Sequence, residues 1–403
     1  MTSGRIHGHV LSPRSGGGLR WEPDSALSWS DGLLLDAAGA GELALSEAGL
    51  LLVPGLIDAH VHMPQYRVRG RFQDALLPWL REHIWPEEAR FSDRPYREAV
   101  AAEFRDGMLA AGTTAALVWG SPHDESAHAV LNDLAPVCVR GGDVLMDRNS
   151  PPELTRSTED GLRSAAEHTS QYGARYALTP RFVPTCTTEL LRGLGRIAAG
   201  SDVLVQTHLA ENLDEVAWVA QLHPDARSYL DVYDQAGLLG PRTVLAHCIH
   251  LDEVDLQRLA DTRTWIAHCP TSNVALGSGR MPLERVLAAG VRVALGTDVG
   301  AGPELSMLDV MACFLDMQAA VPGVRPTLAL ELATLAGAQA MGEGARRGTL
   351  ESGRAADLVA LRLPGGLRRG ETPDEVLARV LDAFAGRWED AVAAVFIGGQ
   401  RVT

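Results

Sequence analysis

The amino-acid sequence predicts an α/β chain, a (β/α)8 barrel of the TIM type with a small β-sandwich domain that both termini build together. Eight short apolar, β-branched runs follow one another from residue 50 onward, with amphipathic stretches between them and alternating, Gly-punctuated segments only at the two ends. "GRIHGHVLSP", "ALSWSDGLLL" and "GELALSE" open the chain as antiparallel β, the first part of the small domain over residues 1–52. The barrel is expected over residues 53–350. Its strands read as "LLLVPGLIDAHVH", "AGTTAALVWG", "VCVRGGDVLMD", "ARYALTPRF", "SDVLVQTHLAEN", "TVLAHCIH", "TRTWIAHCP" and "VRVALGTDVG". Helical patterns include Pro95–Ala111, Thr158–Tyr172, Thr187–Ala199, Glu211–Leu222 and Pro282–Ala289. A doubly wound sheet would show the same alternation, but would not gather reactive side chains from several strand ends at one point. Residues 351–403 complete the small domain through "GTLESGRAADLVALRLP" and "AVAAVFIGGQRVT", around a helix near Pro373–Phe384. Residues 66–94 are too long for a βα loop and carry Leu76, Leu77, Trp79, Leu80 and Trp85. They read as a lid over the barrel mouth, or as extra packing on its rim.

At 403 residues the chain can bury roughly three quarters of its unfolded surface without disulfide staples. A net charge of −15 and the absence of a basic stretch argue against nucleic acid or an anionic membrane as partner. The five cysteines (Cys138, Cys186, Cys248, Cys269, Cys313) are scattered and form no CxxC pair, which disfavours a disulfide framework and a cysteine zinc site. With no charged leader segment and no apolar run of about 18 residues, the expected location is the cytoplasm. All 36 basic residues are arginine.

"VPGLIDAHVHMPQ" places His60 and His62 one residue apart behind an apolar run. Alternate strand residues share a face, so both imidazoles can reach a single point. A His-x-His at a solvated turn would look the same. His208 closes the fifth run in "QTHLAEN", His247 the sixth in "LAHCIH" and Asp298 the eighth in "LGTDVG". Each alone reads as a hydrogen-bonded strand-end residue; together they converge on the face where barrels place their chemistry. Imidazole and carboxylate ligands suit zinc first, with iron as the alternative. His250 and His268 lie on the same face and are expected behind the ligands.

This succession of His-x-His, His, His and Asp resembles the metal pattern of the amidohydrolase superfamily of metal-dependent hydrolases, whose barrels carry a small two-ended β-domain. The ligands implied are His60, His62, His208 and Asp298. Some members bridge two metals through a carbamylated lysine; a chain without lysine cannot, so the resemblance implies one metal ion per chain, zinc or iron. "HMPQY", "VLMDRN", "LTPRF", "THLAENLDEV", "YLDVYDQAGLL", "IAHCPTSN" and "LGTDVGAGPELSML" resemble the guanine deaminase family in order and spacing, from about residue 50 to 345. "TPRF" and "HxAEN" separate that family from related nucleoside deaminases. "AHC" stands where relatives often have "AHG", and "GAGPELSML" varies a glycine-rich turn; neither touches an implied ligand. The resemblance implies hydrolysis of guanine to xanthine and ammonia by a homodimer. It assigns base recognition to Gln65 and Arg181, whose amide and guanidinium match purine donors and acceptors. Phe182 and Trp79 are candidates to cover the ring, against plain core or lid packing. His247 resembles the family histidine that orients the water, with metal ligation left open.

Hydrolytic deamination needs a nucleophilic water near neutral pH and a proton for the ring and the departing ammonia. Metal binding lowers the pKa of water from about 15.7 toward roughly 7. Asp298, beside that water and the substrate, can take its proton while ligating. Glu211, three residues after His208, can reach substrate without ligating and is expected to shuttle protons. The alternative is an ordinary glutamate in the first turn of the next helix, where the dipole favours it; the neighbouring His208 favours the catalytic reading. Two other readings stay open: a sister deaminase or chlorohydrolase acting on another purine, a pterin or a triazine, and a non-enzymatic barrel scaffold. Scaffolds usually lose ligands, and none is missing. Zinc deaminases built on H-x-E and P-C-x-x-C are excluded by the lack of CxxC.

Overall fold

The apolar run at residues 50–62 divides at Gly55 into two strands belonging to different sheets, Leu50–Pro54 and Leu56–His62. A Cβ at residue 55 would lie 2.1 Å from Thr114 Oγ1, so only glycine passes this junction. Leu50–Pro54 pairs parallel with Ser3–Pro13 and antiparallel with Leu358–Arg362. It is the middle of an eight-stranded terminal sheet whose path runs Gln400–Arg401, Val392–Ile397, Leu358–Arg362, Leu50–Pro54, Ser3–Pro13, Leu19–Ser30 and Leu33–Leu34, the eighth strand, Leu43–Leu45, pairing with Ser3–Pro13 off that path. The expected boundary at residues 52/53 therefore falls inside a strand. Leu50 and Leu52 face a core with Ile6, Trp29 and Phe396, whereas Leu51 and Val53 face the barrel core. Burial on both faces is what makes this strand look like a barrel strand in sequence.

The computed structural model describes residues 3–36, 43–45, 49–72, 76–123 and 125–403. Of the "GELALSE" segment, residues 41–42 and 46–47 lie outside the described residues; Leu43–Leu45 is a strand, but it runs parallel to Ser3–Pro13, not antiparallel.

The barrel strands are Leu56–His62, Thr113–Trp119, Cys138–Gly142, Ala177–Pro180, Leu204–Leu209, Thr243–His247, Trp265–His268 and Arg292–Leu295. A short strand, Val144–Leu145, continues the third and pairs with the fourth. The ring closes where Asp298 N donates to His60 O and His62 N donates to Val299 O, each at 2.8 Å. Every residue of the first two strands is buried, as expected of strands between helices and a filled barrel interior.

Helices Arg94–Ala110, Thr158–Tyr172, Thr188–Ala199 and Leu283–Ala288 lie where the apolar spacing places them, within a residue at each end. The helix after the fifth strand differs. It starts at Leu213 because Asn212 takes the cap position, with Glu215 reaching back to complete a capping box. Glu211 is left ahead of the helix, on the turn over the barrel mouth, and not in its first turn. The long segment after the first strand is folded: Met63–Val68, Leu76–Trp79, Leu80–Ile84, Trp85–Ala89 and Arg90–Ser92 are all helical turns. Leu76, Trp79, Leu80 and Ile84 pack there against Val68, Phe182, Leu276 and Ala301. Among the described residues, no helix is long and apolar enough to cross a membrane.

Candidate active site

Three strand ends deliver one cluster of four ligand atoms. The Nε2 atoms of His60 and His62 are 3.2 Å apart, and His208 Nε2 lies 3.2 Å from that of His62. Asp298 Oδ1 is 3.2 Å from His60 Nε2 and 3.3 Å from His62 Nε2. All four ligand atoms fall within 4.8 Å of one another. A tetrahedral ion with bonds of about 2.0–2.1 Å would separate its ligands by about 3.3 Å, so the spacing fits a divalent metal. Protonation fits it too. Burial lowers the His62 pKa to about 3 and His208 well below its usual range. Burial acts to raise Asp298, but hydrogen bonds from His60 and His62 outweigh it and hold the carboxyl well below its usual value. Neutral His62 and His208 facing an ionised Asp298 are the state a cation binds.

The surrounding residues aim these ligands. His208 Nδ1 donates to Arg181 O at 2.6 Å, which leaves Nε2 to ligate. Asp58, a buried residue of the first strand itself, accepts from His60 N at 3.1 Å and from Thr297 N and Oγ1 at 3.0 and 2.5 Å. It ties the His-x-His strand to the Asp298 loop; burial raises its pKa to about 6 despite those bonds. Ser272 Oγ donates to Asp298 Oδ2 at 2.6 Å. A Cβ on Gly296 would lie 2.8 Å from His60 N, so the loop needs glycine to approach. His247 (φ 69°) and Asp298 (φ 51°) occupy left-handed backbone conformations, a strain that collects at functional sites. The Trp119 indole backs the cluster, 4.5 Å from the His208 ring and 5.0 Å from that of His62.

A pocket opens on this cluster. Gln65, Trp79, Arg181, Phe182, Glu211 and His247 line it with His62, His208 and Asp298, while His60 lies beneath. The four candidate ligands, Glu211, His247 and the four candidate base contacts thus lie in or beneath one pocket. Burial, then the Asp298 charge, raises the Glu211 pKa to about 8, against the Ser278 hydrogen bond and the Arg181 charge. His247 Nδ1 donates to Asn273 Oδ1 at 3.0 Å, leaving Nε2 as an acceptor. That nitrogen has no hydrogen-bond partner among the described residues and lies 3.5 Å from Glu211 Oε2 and 3.7 Å from Asp298 Oδ2. His247 is not part of the four-atom cluster. His250 Nε2 meets Ser278 O at 3.1 Å, and His268 is buried against Phe314; neither joins the ligands.

Several site residues escape a reading of the sequence alone. Ser272 and Asn273 sit in "IAHCPTSN", where nothing local marks a role. Glu88, in the lid, accepts from Gln65 Nε2 at 3.0 Å and from Arg181 Nη1 at 2.6 Å. No spacing in "WPEEAR" points to it.

The amidohydrolase family model matches residues 51–402. The guanine deaminase of Escherichia coli (strain K12) is 39% identical over 321 residues, covering 78% of this chain and 73% of its own. The guanine deaminase of Mus musculus is 34% identical over 373 residues, 87% of this chain and 82% of its own. Among solved structures, a guanine deaminase from C. acetobutylicum with guanine bound in its active site superposes with a TM-score of 0.90 at 27% identity, covering 100% of each chain.

Proposed function

This chain belongs to the amidohydrolase family, and on that premise we propose that it is a guanine deaminase, hydrolysing guanine to xanthine and ammonia. The reading rests on one arrangement: the His60, His62, His208 and Asp298 cluster shares a pocket with a carboxyl of raised pKa, Glu211, and with Gln65 and Arg181. His60, His62, His208 and Asp298 would hold a divalent ion, zinc by its liking for imidazole nitrogen, which would supply the Lewis acidity that brings water's pKa toward about 7. Asp298, kept ionised, accepts the water's proton. His247, anchored by Asn273, turns an acceptor nitrogen toward the attacking water. Glu211 carries a proton at neutral pH and gives it to a ring nitrogen. Its carboxylate then takes the proton of the added hydroxyl and passes it to the exocyclic amine, which leaves as ammonia, and the proton held by Asp298 recharges Glu211. Gln65 and Arg181 read the base edge, while Phe182 and Trp79 cover the ring. We assign the enzyme to purine catabolism in the cytoplasm, supported by five free cysteines. The homodimer rests on the family resemblance.

Purified protein should release one ammonia per xanthine formed from guanine and should carry about one zinc or iron per chain. Chelation should abolish turnover, and one equivalent of zinc should restore it. Fully metallated protein that forms no xanthine would overturn the reading. Two ions per chain, both required, would overturn the single-metal site, and guanosine turnover equal to that of guanine would overturn the preference for the free base.

A further inference from the structure

Glu88 is a buried carboxylate, 1% exposed, carried by the lid turn Trp85–Ala89, and the mechanism above does not use it. It stands between the two residues assigned to base recognition. Gln65 Nε2 donates to its Oε1 at 3.0 Å and Arg181 Nη1 to its Oε2 at 2.6 Å. A carboxylate only accepts, so the Gln65 amide must turn its NH2 group toward Glu88. From the other side, Gly300 N donates to Gln65 Oε1 at 3.3 Å. Two contacts of opposite polarity therefore fix one of the two nearly isosteric orientations of the amide. An unfixed glutamine could rotate its end group, exchange donor for acceptor, and receive an amino group where it should receive an oxo group.

We propose that Glu88 is a positioning residue for specificity. It sets which hydrogen-bonding face Gln65 shows the purine and docks Arg181 beside it, so discrimination between an oxo and an amino substituent is made from the lid. This rests on the assignment of Gln65 and Arg181 to base reading. The lid turn is itself anchored, because the ring Nε2 of His123 meets Glu88 O at 3.2 Å. The recognition pair is thus complete only with the lid seated.

Glu88→Gln keeps the size of the side chain and removes the obligatory acceptor. Its kcat/KM should be compared with wild type on guanine and on 2,6-diaminopurine, which keeps the leaving amine but carries an amino group in place of the oxo group. The guanine-to-diaminopurine ratio should fall at least tenfold, mainly through a raised KM for guanine, with metal content unchanged. In a Gln65→Ala background the same change should leave the ratio where Gln65→Ala alone puts it. If Glu88→Gln does not fold, Glu88→Asp, which withdraws the carboxylate by one methylene, should lower the ratio in the same direction. An unchanged ratio, or equal losses on both substrates, overturns the proposal. Wild-type protein inactive on guanine defeats the functional reading instead, and this inference falls with it.

Discussion

The floor of the pocket and its lid-side wall hold their side chains by different means. On the floor, His60 and His62 are two residues apart on one strand; backbone hydrogen bonds at the barrel closure bring Asp298 alongside, and the fifth strand delivers His208 from across the barrel. In the wall, Gln65 meets a carboxylate 23 residues away, and that carboxylate meets Arg181 after a further 93. The floor is a by-product of closing the barrel. The wall exists only because a separately folded segment docks on it. Chemistry placed on the floor should therefore survive changes that abolish recognition.

Glu211→Gln is the strongest test of that separation. Turnover should drop by roughly 10²–10⁴-fold, since the amide keeps the Ser278 contact but cannot carry a proton. Metal content and guanine affinity should hold. Metal lost in step with turnover would mean that ligation and proton transfer are not independent on the floor.

Arg181→Ala tests the wall. From sequence alone its effect should be confined to guanine, with fold untouched; the ion pair with Glu88 changes that expectation. Both side chains are buried, 4% and 1% exposed, so the substitution leaves a carboxylate inside without its cation. Transition-state binding of guanine should weaken by about 1–3 kcal/mol, read from kcat/KM, and the urea unfolding midpoint should drop. Metal content should not change. An unaltered midpoint would show that the wall carries no weight in the fold.

Glu215 sharpens the contrast from beneath. It accepts from Glu211 N at 2.9 Å, Asn212 N at 3.2 Å and Tyr229 Oη at 2.8 Å. Burial, then the Glu211 charge, raises its pKa from 4.5 to about 7. The folded state thus holds this proton more tightly than the unfolded chain. The stabilisation is complete below about pH 4.5 and is lost as pH rises through about 7, on the order of 3 kcal/mol at most. Glu215→Gln should flatten the fall in unfolding free energy across that window. An unchanged slope would place the titration elsewhere.

What the sequence reveals follows the same division. Strand alternation and strand-end position are local, so the eight barrel strands and a strand-end cluster that includes His247 are readable from spacing, while the narrowing to four candidate ligands comes from the family resemblance. Leu50–Val53 misleads because a strand buried on both faces carries the same signal whichever sheet it joins. The start of the helix at Leu213 turns on one capping asparagine. Gln65 and Arg181 stand out only through family resemblance, and Glu88 not at all, because its meaning lies in partners that distant folding brings to it.

The position of Leu50–Pro54 also sets a clock on biosynthesis. One of its neighbours, Ser3–Pro13, is already made when it leaves the ribosome; the other, Leu358–Arg362, is encoded roughly 300 residues later. At about 5–20 residues per second the wait is about 15–60 s. Throughout it, a strand of leucine and valine offers an open hydrogen-bonding edge to any other extended chain. The nascent polypeptide, more than the finished protein, is the species that needs shelter from aggregation.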